Sequence, residues 1–259
     1  MLYFIYNFQA FLLVMIRIHS LFVVAPFFSS GVTPVRLKAL LAFFITLVIF
    51  PLIVKNGISV SGNMLEYGLM VVREIIIGVY IGFIASIVFT AFQLAGQYFS
   101  VQIGFGFSEV VDPMAQISVP IIGQIKSMVG LLVFLYINGH HFLISAIYRS
   151  FELAPVINFS DTAISDHMRY LTYSFSGMFI VALKIALPIL ATVFLVSVSM
   201  GVLAKAAPQM NIMMLGFPFK IMVAFVLIVV LSPLIIRIMQ VALGRSFHFI
   251  SKVLTYWPV

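Results

Sequence analysis

The sequence predicts an all-α, membrane-type subunit of about six long hydrophobic helices, and three observations carry that expectation. Hydrophobic residues make up 63% of the 259-residue chain and charged residues only 8%, against about a quarter charged in an ordinary soluble domain. Apolar runs reach the roughly 20 residues that cross a hydrocarbon core as a helix. No charged residue stands between Ile75 and Ser108. Lipid admits only helices or closed barrels as spanning structures, and a barrel shows short alternating strands instead of long apolar runs.

The first helix is expected over 3–28. MLYFIYNFQAFLLVMIR has no Lys or Arg ahead of its apolar stretch and no small-residue cleavage site behind it, so it reads as a retained helix and not a signal peptide. Pro26 and Ser29-Ser30-Gly31 close it. The second helix, 36–54, stops before Asn56-Gly57. The third, 66–102, contains most of the charge-free run, which as a helix is about 50 Å long against a bilayer core of about 30 Å. It is therefore expected to be tilted, broken or packed inside protein. Asp112-Pro113 ends the segment that follows it. The remaining helices are expected over 119–150, 168–206 and 212–242, with Pro155 as a breaker between the first two of these. All belong to one unit.

The net charge of +7 and pI of about 9.7 would point to nucleic acid in a soluble domain. Here Lys and Arg stand singly between apolar runs and read as helix-end anchors, so no nucleic-acid partner is expected. They fall about evenly on alternate sides of the helices. The positive-inside rule thus leaves orientation open, and the weak bias favours helices held against other proteins over helices individually bathed in lipid. The absence of cysteine removes disulfides, thiolate catalysis and Cys-based metal sites.

A few polar points inside the apolar mass remain to carry function. Ser86, Thr90, Gln93, Gln97 and Ser100 recur at helical spacing on one face of the third helix. Both interhelical hydrogen bonding and the lining of an aqueous path fit that stripe. Gly78 and Gly82 just before it form a small-xxx-small step suited to close helix packing. The stripe leads into IGFGFSEVVDP at 103–113, where Gly104 and Gly106 loosen the backbone around Phe105 and Phe107. A nucleotide-binding reading fails, because the third glycine of GxGxxG would fall at Glu109 and no strand precedes it. A Phe-bearing break in a membrane helix is left, either a structural kink or backbone that lines a cavity or plugs a pore.

His140 and His141 are adjacent and lack the i, i+4 spacing of a metal pair. Arg73-Glu74, Lys184 and Arg17 lie at or inside helices, where snorkelling or pairing with another chain is favoured over a proton relay. No nucleophile–base pair, paired carboxylates or phosphate loop can be assembled, so neither enzyme activity nor a cofactor or metal is expected.

Two stretches change the reading: QLAGQYFSVQIGFGFSEVVDP at 93–113 and LPILATVFLVSVSMGVLAKAAPQMNIMMLGFPFK at 187–220. Together they resemble the FliR family of type III protein-export-gate subunits. The first is similar to the pattern AGxxxxxQxGxxFxxxxDP through Ala95, Gly96, Gln102, Gly104, Phe107, Asp112 and Pro113. The second is similar to LP…GLLxRxAPQxNxFxxGFPxK through Leu187, Pro188, Gly201, Ala207, Pro208, Gln209, Asn211, Gly216, Phe217, Pro218 and Lys220. The NGH at 138–140 and the AP at 25–26 also fit. Lys205 stands where Arg is common, and Met213-Met214 replaces a frequent aromatic.

The resemblance implies a non-enzymatic subunit of the flagellar export gate in the bacterial inner membrane, at the flagellar basal body. It would join FliP and FliQ in a closed helical assembly through which unfolded flagellar export substrates leave the cytoplasm, with FlhB bound to that assembly and FlhA below it. By the same resemblance, residues 1–184 are a FliP-like portion and 185–259 a FliQ-like hairpin and tail, with hydrophobic faces turned toward neighbouring subunits more than lipid. It also implies that the loop at 104–113 projects into the pore as a plug. Gly104, Phe105, Gly106, Phe107 and Val110 take that role, and Asp112 and Pro113 shape the loop. Lys205, Pro208, Gln209, Asn211 and Lys220 become subunit-interface positions of the hairpin. The main alternative is a secondary transporter or ion channel acting alone. It is disfavoured because no matching pair of Gly/Pro-broken helices appears in two equivalent halves.

Overall fold

The computed structural model describes residues 2–26, 28, 34–54, 60, 62–104, 121–154, 160–209 and 212–257. The described residues form eight helices and no strand: α1 Leu2–Val24, α2 Val35–Val54, α3 Met64–Ile103, α4 Ile121–Tyr136, α5 Gly139–Leu153, α6 Asp161–Ala206, α7 Ile212–Val230 and α8 Ser232–Thr255. Four of them, α1, α2, α3 and α6, are individually long and apolar enough to cross a membrane, and the number rises to six if α4 with α5 and α7 with α8 each make one bent span. The all-α membrane-type architecture expected from the sequence is therefore present.

The two additional helices come from local breaks inside expected elements. The helix expected over 119–150 divides at Asn138, whose φ of 57° and ψ of 34° place it in the left-handed region. Asn tolerates that region better than other side chains, and the Gly139 that follows starts the next helix. The last expected helix divides at Leu231, just ahead of Pro233, which has no N–H to continue the ladder and crowds the carbonyl four residues earlier. Its second part runs on to Thr255, well past the expected end at 242. α6 starts earlier than expected, at Asp161, because the Ser160 hydroxyl accepts the Ala163 N–H at 3.3 Å and caps two polar turns that an apolar pattern does not mark.

α3 is an unbroken helix of 40 residues, about 60 Å long. Packing inside protein is how it carries its apolar length, since 61% of its most apolar window is buried within the chain. The corresponding figure for α6, at 46 residues the longest helix, is 28%.

The chain divides into two compact units, each assembled from separated segments. One comprises Met1–Ile87, Asn138–Phe175 and Gly244–Val259; the other comprises Val88–Ile137 and Ser176–Leu243. In the first, α1 packs against α2 through Phe11, whose ring meets Phe43 and Phe50 edge-on at 5.6 and 5.4 Å. Against the N-terminal half of α3 the contact is closer. A Cβ on Gly78 would collide with the Ser20 hydroxyl and the Arg17 carbonyl, and one on Gly82 would lie 3.0 Å from the Leu21 carbonyl. Lipid is as apolar as leucine, so helix association in a bilayer depends on such close packing and on polar links. The small-xxx-small step thus does here what its spacing suggested. Ile18, Leu21, Ile77, Ile81, Leu143 and Ile147, all at most 2% exposed, fill the interior of this unit.

The end of the chain is tied into the same unit. Trp257, the sole tryptophan, packs edge-on against Tyr80 and His167 at 5.6 and 4.7 Å, and the Tyr170 O–H donates to the Tyr256 carbonyl at 3.3 Å. In the second unit, the C-terminal part of α3 meets α4 at two glycines: a Cβ on Gly96 would stand 2.7 Å from the backbone nitrogen of Gly123. One turn before and two turns after that crossing, the Phe92 ring lies over Gly130.

Candidate functional site

In the second unit, α3 ends at Gly104. Its N–H is shared between the Ser100 and Val101 carbonyls, each at 3.2 Å, and its φ is +99°. Only glycine takes that angle without strain, so the residue that ends the helix and releases the chain is fixed by backbone geometry. Phe217 of α7 closes on it from the side: a Cβ here would be 2.7 Å from the aromatic ring. The two sequence stretches at 93–113 and 187–220, far apart along the chain, therefore meet at Gly104 and Phe217. Spacing alone held no sign of that contact. Phe105, Gly106, Phe107, Val110, Asp112 and Pro113 lie outside the described residues.

The polar stripe on α3 has graded surroundings. Thr90 is exposed, Ser86, Gln93 and Gln97 are half-buried, and Ser100 is buried, one turn before Gly104. The Ser86 hydroxyl donates to the Phe83 carbonyl of its own helix at 2.8 Å. At Gln93 the helix meets α4, where the Gln93 carbonyl would lie 3.1 Å from a Cβ on Gly123. Lys126 of α4 is buried in the same unit, with its ammonium 5.9 Å from the centre of the Phe99 ring.

The hairpin between α6 and α7 presents Lys205, Pro208 and Gln209 to the outside, while Lys220 is half-buried on α7; Asn211 lies outside the described residues. Gly216 packs against Met200, its nearest neighbour at 3.5 Å from a Cβ position, and Gly201 faces open space. Along this hairpin Phe194, Leu195, Val202, Met222, Val226 and Val229 are each more than half exposed. Pro188 interrupts the α6 ladder in its middle, and Lys184, whose carbonyl it leaves without the usual partner, is exposed.

The first unit holds a buried ionic centre that the sequence reading did not assemble. Arg17 was expected to snorkel or to pair with another chain. Instead it is 1% exposed and forms an ion pair with Glu74 of α3, itself 9% exposed. Its second guanidinium branch donates to the Ser150 carbonyl at 2.9 Å, the Ser150 hydroxyl at 3.1 Å and the Ala154 carbonyl at 3.4 Å. The guanidinium also lies 4.1 Å from the centre of the Phe151 ring. Arg73 is half-buried. His140 and His141 lie ring against ring at the start of α5, with centroids 4.2 Å apart.

Comparison with known proteins gives a consistent result over nearly the whole chain. The family model described as bacterial export proteins, family 1, matches residues 8–246. The flagellar biosynthetic protein FliR of Bacillus subtilis (strain 168) is 34% identical over 238 residues, covering 90% of this chain and 90% of the relative. The protein of the same name from Escherichia coli (strain K12) is 30% identical over 245 residues, 95% and 92% of the two chains. That from Aquifex aeolicus (strain VF5) is 26% identical over 242 residues, 93% and 90%.

Proposed function

The chain belongs to the bacterial export proteins, family 1, and on that premise we propose that it is a non-enzymatic core subunit of the flagellar type III protein-export gate. The observation that carries this reading is likeness to FliR proteins over nine-tenths of both chains. In this reading it joins FliP and FliQ in a closed helical assembly in the bacterial inner membrane, at the flagellar basal body. FlhB binds the assembly and FlhA lies below it, and unfolded flagellar substrates pass through. Residues 1–184 act as a FliP-like portion and 185–259 as a FliQ-like hairpin and tail. The exposed apolar side chains of the α6–α7 hairpin support a burial against partners, with Lys205, Pro208, Gln209, Asn211 and Lys220 at that interface.

The segment that follows Gly104 acts as the plug of the channel. Phe105, Phe107 and Val110 exclude water and ions at a constriction, Gly104 and Gly106 give the backbone the freedom to swing aside, and Asp112 and Pro113 shape the loop. The polar stripe from Ser86 to Ser100 leads toward it along α3.

Deletion of the gene tests the reading in its own bacterium. Secretion of flagellar filament and hook subunits into the medium is expected to stop and to return with a plasmid copy; secretion that continues in the deletion strain would overturn it. In the same strain, Phe105→Ala with Phe107→Ala is expected to restore secretion while raising ion leakage through the membrane. Unchanged leakage would remove the plug.

A further inference from the structure

Among the described residues, Arg17 is the bulkiest of the fully buried side chains. It is the sole Lys, Arg, Asp or Glu in α1, a candidate span, and it sits about two turns from the C-terminal end of that helix. An arginine presented by a lone helix to hydrocarbon is costly, and neither Lys nor Arg remains in a bilayer core without a partner, a water path or a route to the interface. In this chain the partners come from elements distant in sequence: Glu74 lies 57 residues away, and the Ser150 and Ala154 carbonyls 133 and 137 residues away.

The arrangement uses most of what a guanidinium offers. One edge serves the carboxylate, the other serves the carbonyls at the end of α5, where the helix dipole is negative, and the flat face rests on Phe151. Ser150 is itself fully buried, and its hydroxyl also donates to the Ile147 carbonyl at 2.6 Å. Around the ion pair, α1 and α3 touch backbone to backbone at Gly78 and Gly82. A shift of either helix by one turn would separate the charges and would also force a side chain into that crossing. A buried ion pair adds little net stability against an apolar replacement, yet loss of one partner leaves an unpaired charge. Its best-attested use is therefore to fix register.

We propose that Arg17, Glu74 and the C-terminal carbonyls of α5 form an internal register lock, which makes α1 a stable membrane helix only once α3 and α5 have closed on it, and which this chain completes before it meets any partner. Every group of the lock is supplied by one compact unit. The α6–α7 hairpin, largely exposed and apolar, has no ion pair among its described residues. The ionic centre would thus be finished within the chain, and the apolar hairpin finished by assembly.

The test uses the full chain, expressed alone and together with the FliP and FliQ partners proposed above, with variants Arg17→Met, Glu74→Met and the double variant. The readouts are the fraction of the membrane-bound chain that resists limited proteolysis and the pulse-chase half-life. Each single variant is expected to fall several-fold in both, because destabilisation of this kind is read by cellular proteases as lost abundance. The double variant, which removes both charges at similar volume, is expected to recover to within about twofold of the wild type. Coexpression is expected to rescue neither single variant. The lock is overturned if the double variant is no better than the worse single variant, if the single variants match the wild type, or if partners rescue a single variant. It is equally overturned if the wild-type chain fails to accumulate without partners. These readouts need neither secretion nor complex formation, so failure of the export-gate reading would show separately.

Discussion

Gly104 concentrates two independent demands at one residue: its φ of +99° excludes an unstrained side chain, and the Phe217 ring occupies the space a Cβ would need. Gly104→Ala is expected to destabilise the purified chain by about 1–3 kcal/mol, the usual cost of a non-glycine residue held in such a region. Thermal unfolding in detergent measures it. Adding Phe217→Leu should return only the part due to the steric contact, because the backbone strain remains; full recovery would show that the angle costs nothing. The glycine itself was legible from the IGFGF pattern, as a place where the backbone loosens. Phe217 as its neighbour was not, since the two residues are linked only by the packing of α3 against α7. Arg17 shows the same division more sharply. A charge inside an apolar helix was visible, and so was Glu74, but the sequence contains nothing that orients one toward the other across 57 residues. The expectation that Arg17 snorkels or pairs with another chain therefore gives way to a pair within the chain.

At the scale of the helix, most of the architecture follows from the apolar runs, and the departures have local causes. Asn138 and Pro233 break what composition presents as continuous helices, because hydrophobicity in these stretches is indifferent to a single left-handed residue or a missing N–H. The Ser160 cap extends α6 into a polar region for the opposite reason. Two glycines make contrasting predictions about these elements. Gly96 lies against Gly123 where α3 crosses α4, whereas Gly201 on α6 meets nothing within 4 Å. Gly96→Leu is expected to lower the unfolding midpoint of the isolated chain, since a helix crossing at that distance has no room for a side chain. Gly201→Leu is expected to leave the midpoint unchanged or slightly raised, from better helix propensity, and yet to weaken recovery of the chain with its partners if the hairpin is an interface. Equal midpoints for the two variants would contradict the packing at Gly96; undiminished recovery with Gly201→Leu would place the interface elsewhere.

At the scale of the molecule, few charges and much exposed apolar surface coincide. Only 28% of the most apolar window of α6 is covered within the chain, against 61% for α3. The composition announced a membrane-type protein, and the even spread of Lys and Arg fits helices that find much of their environment in other proteins. The plug role proposed for residues 104–113 rests on family resemblance alone, because residues 105–113 offer chemistry but no periodicity that fixes a conformation. The most direct measurement is native mass spectrometry of the tagged chain, purified in mild detergent from cells that also express the FliP and FliQ proteins proposed as its partners. A stable hetero-oligomer that retains both partners around one copy of this chain is the expected result. A monomer or homo-oligomer, with both partners well expressed, would contradict the export-gate reading and favour a transporter or channel that acts alone.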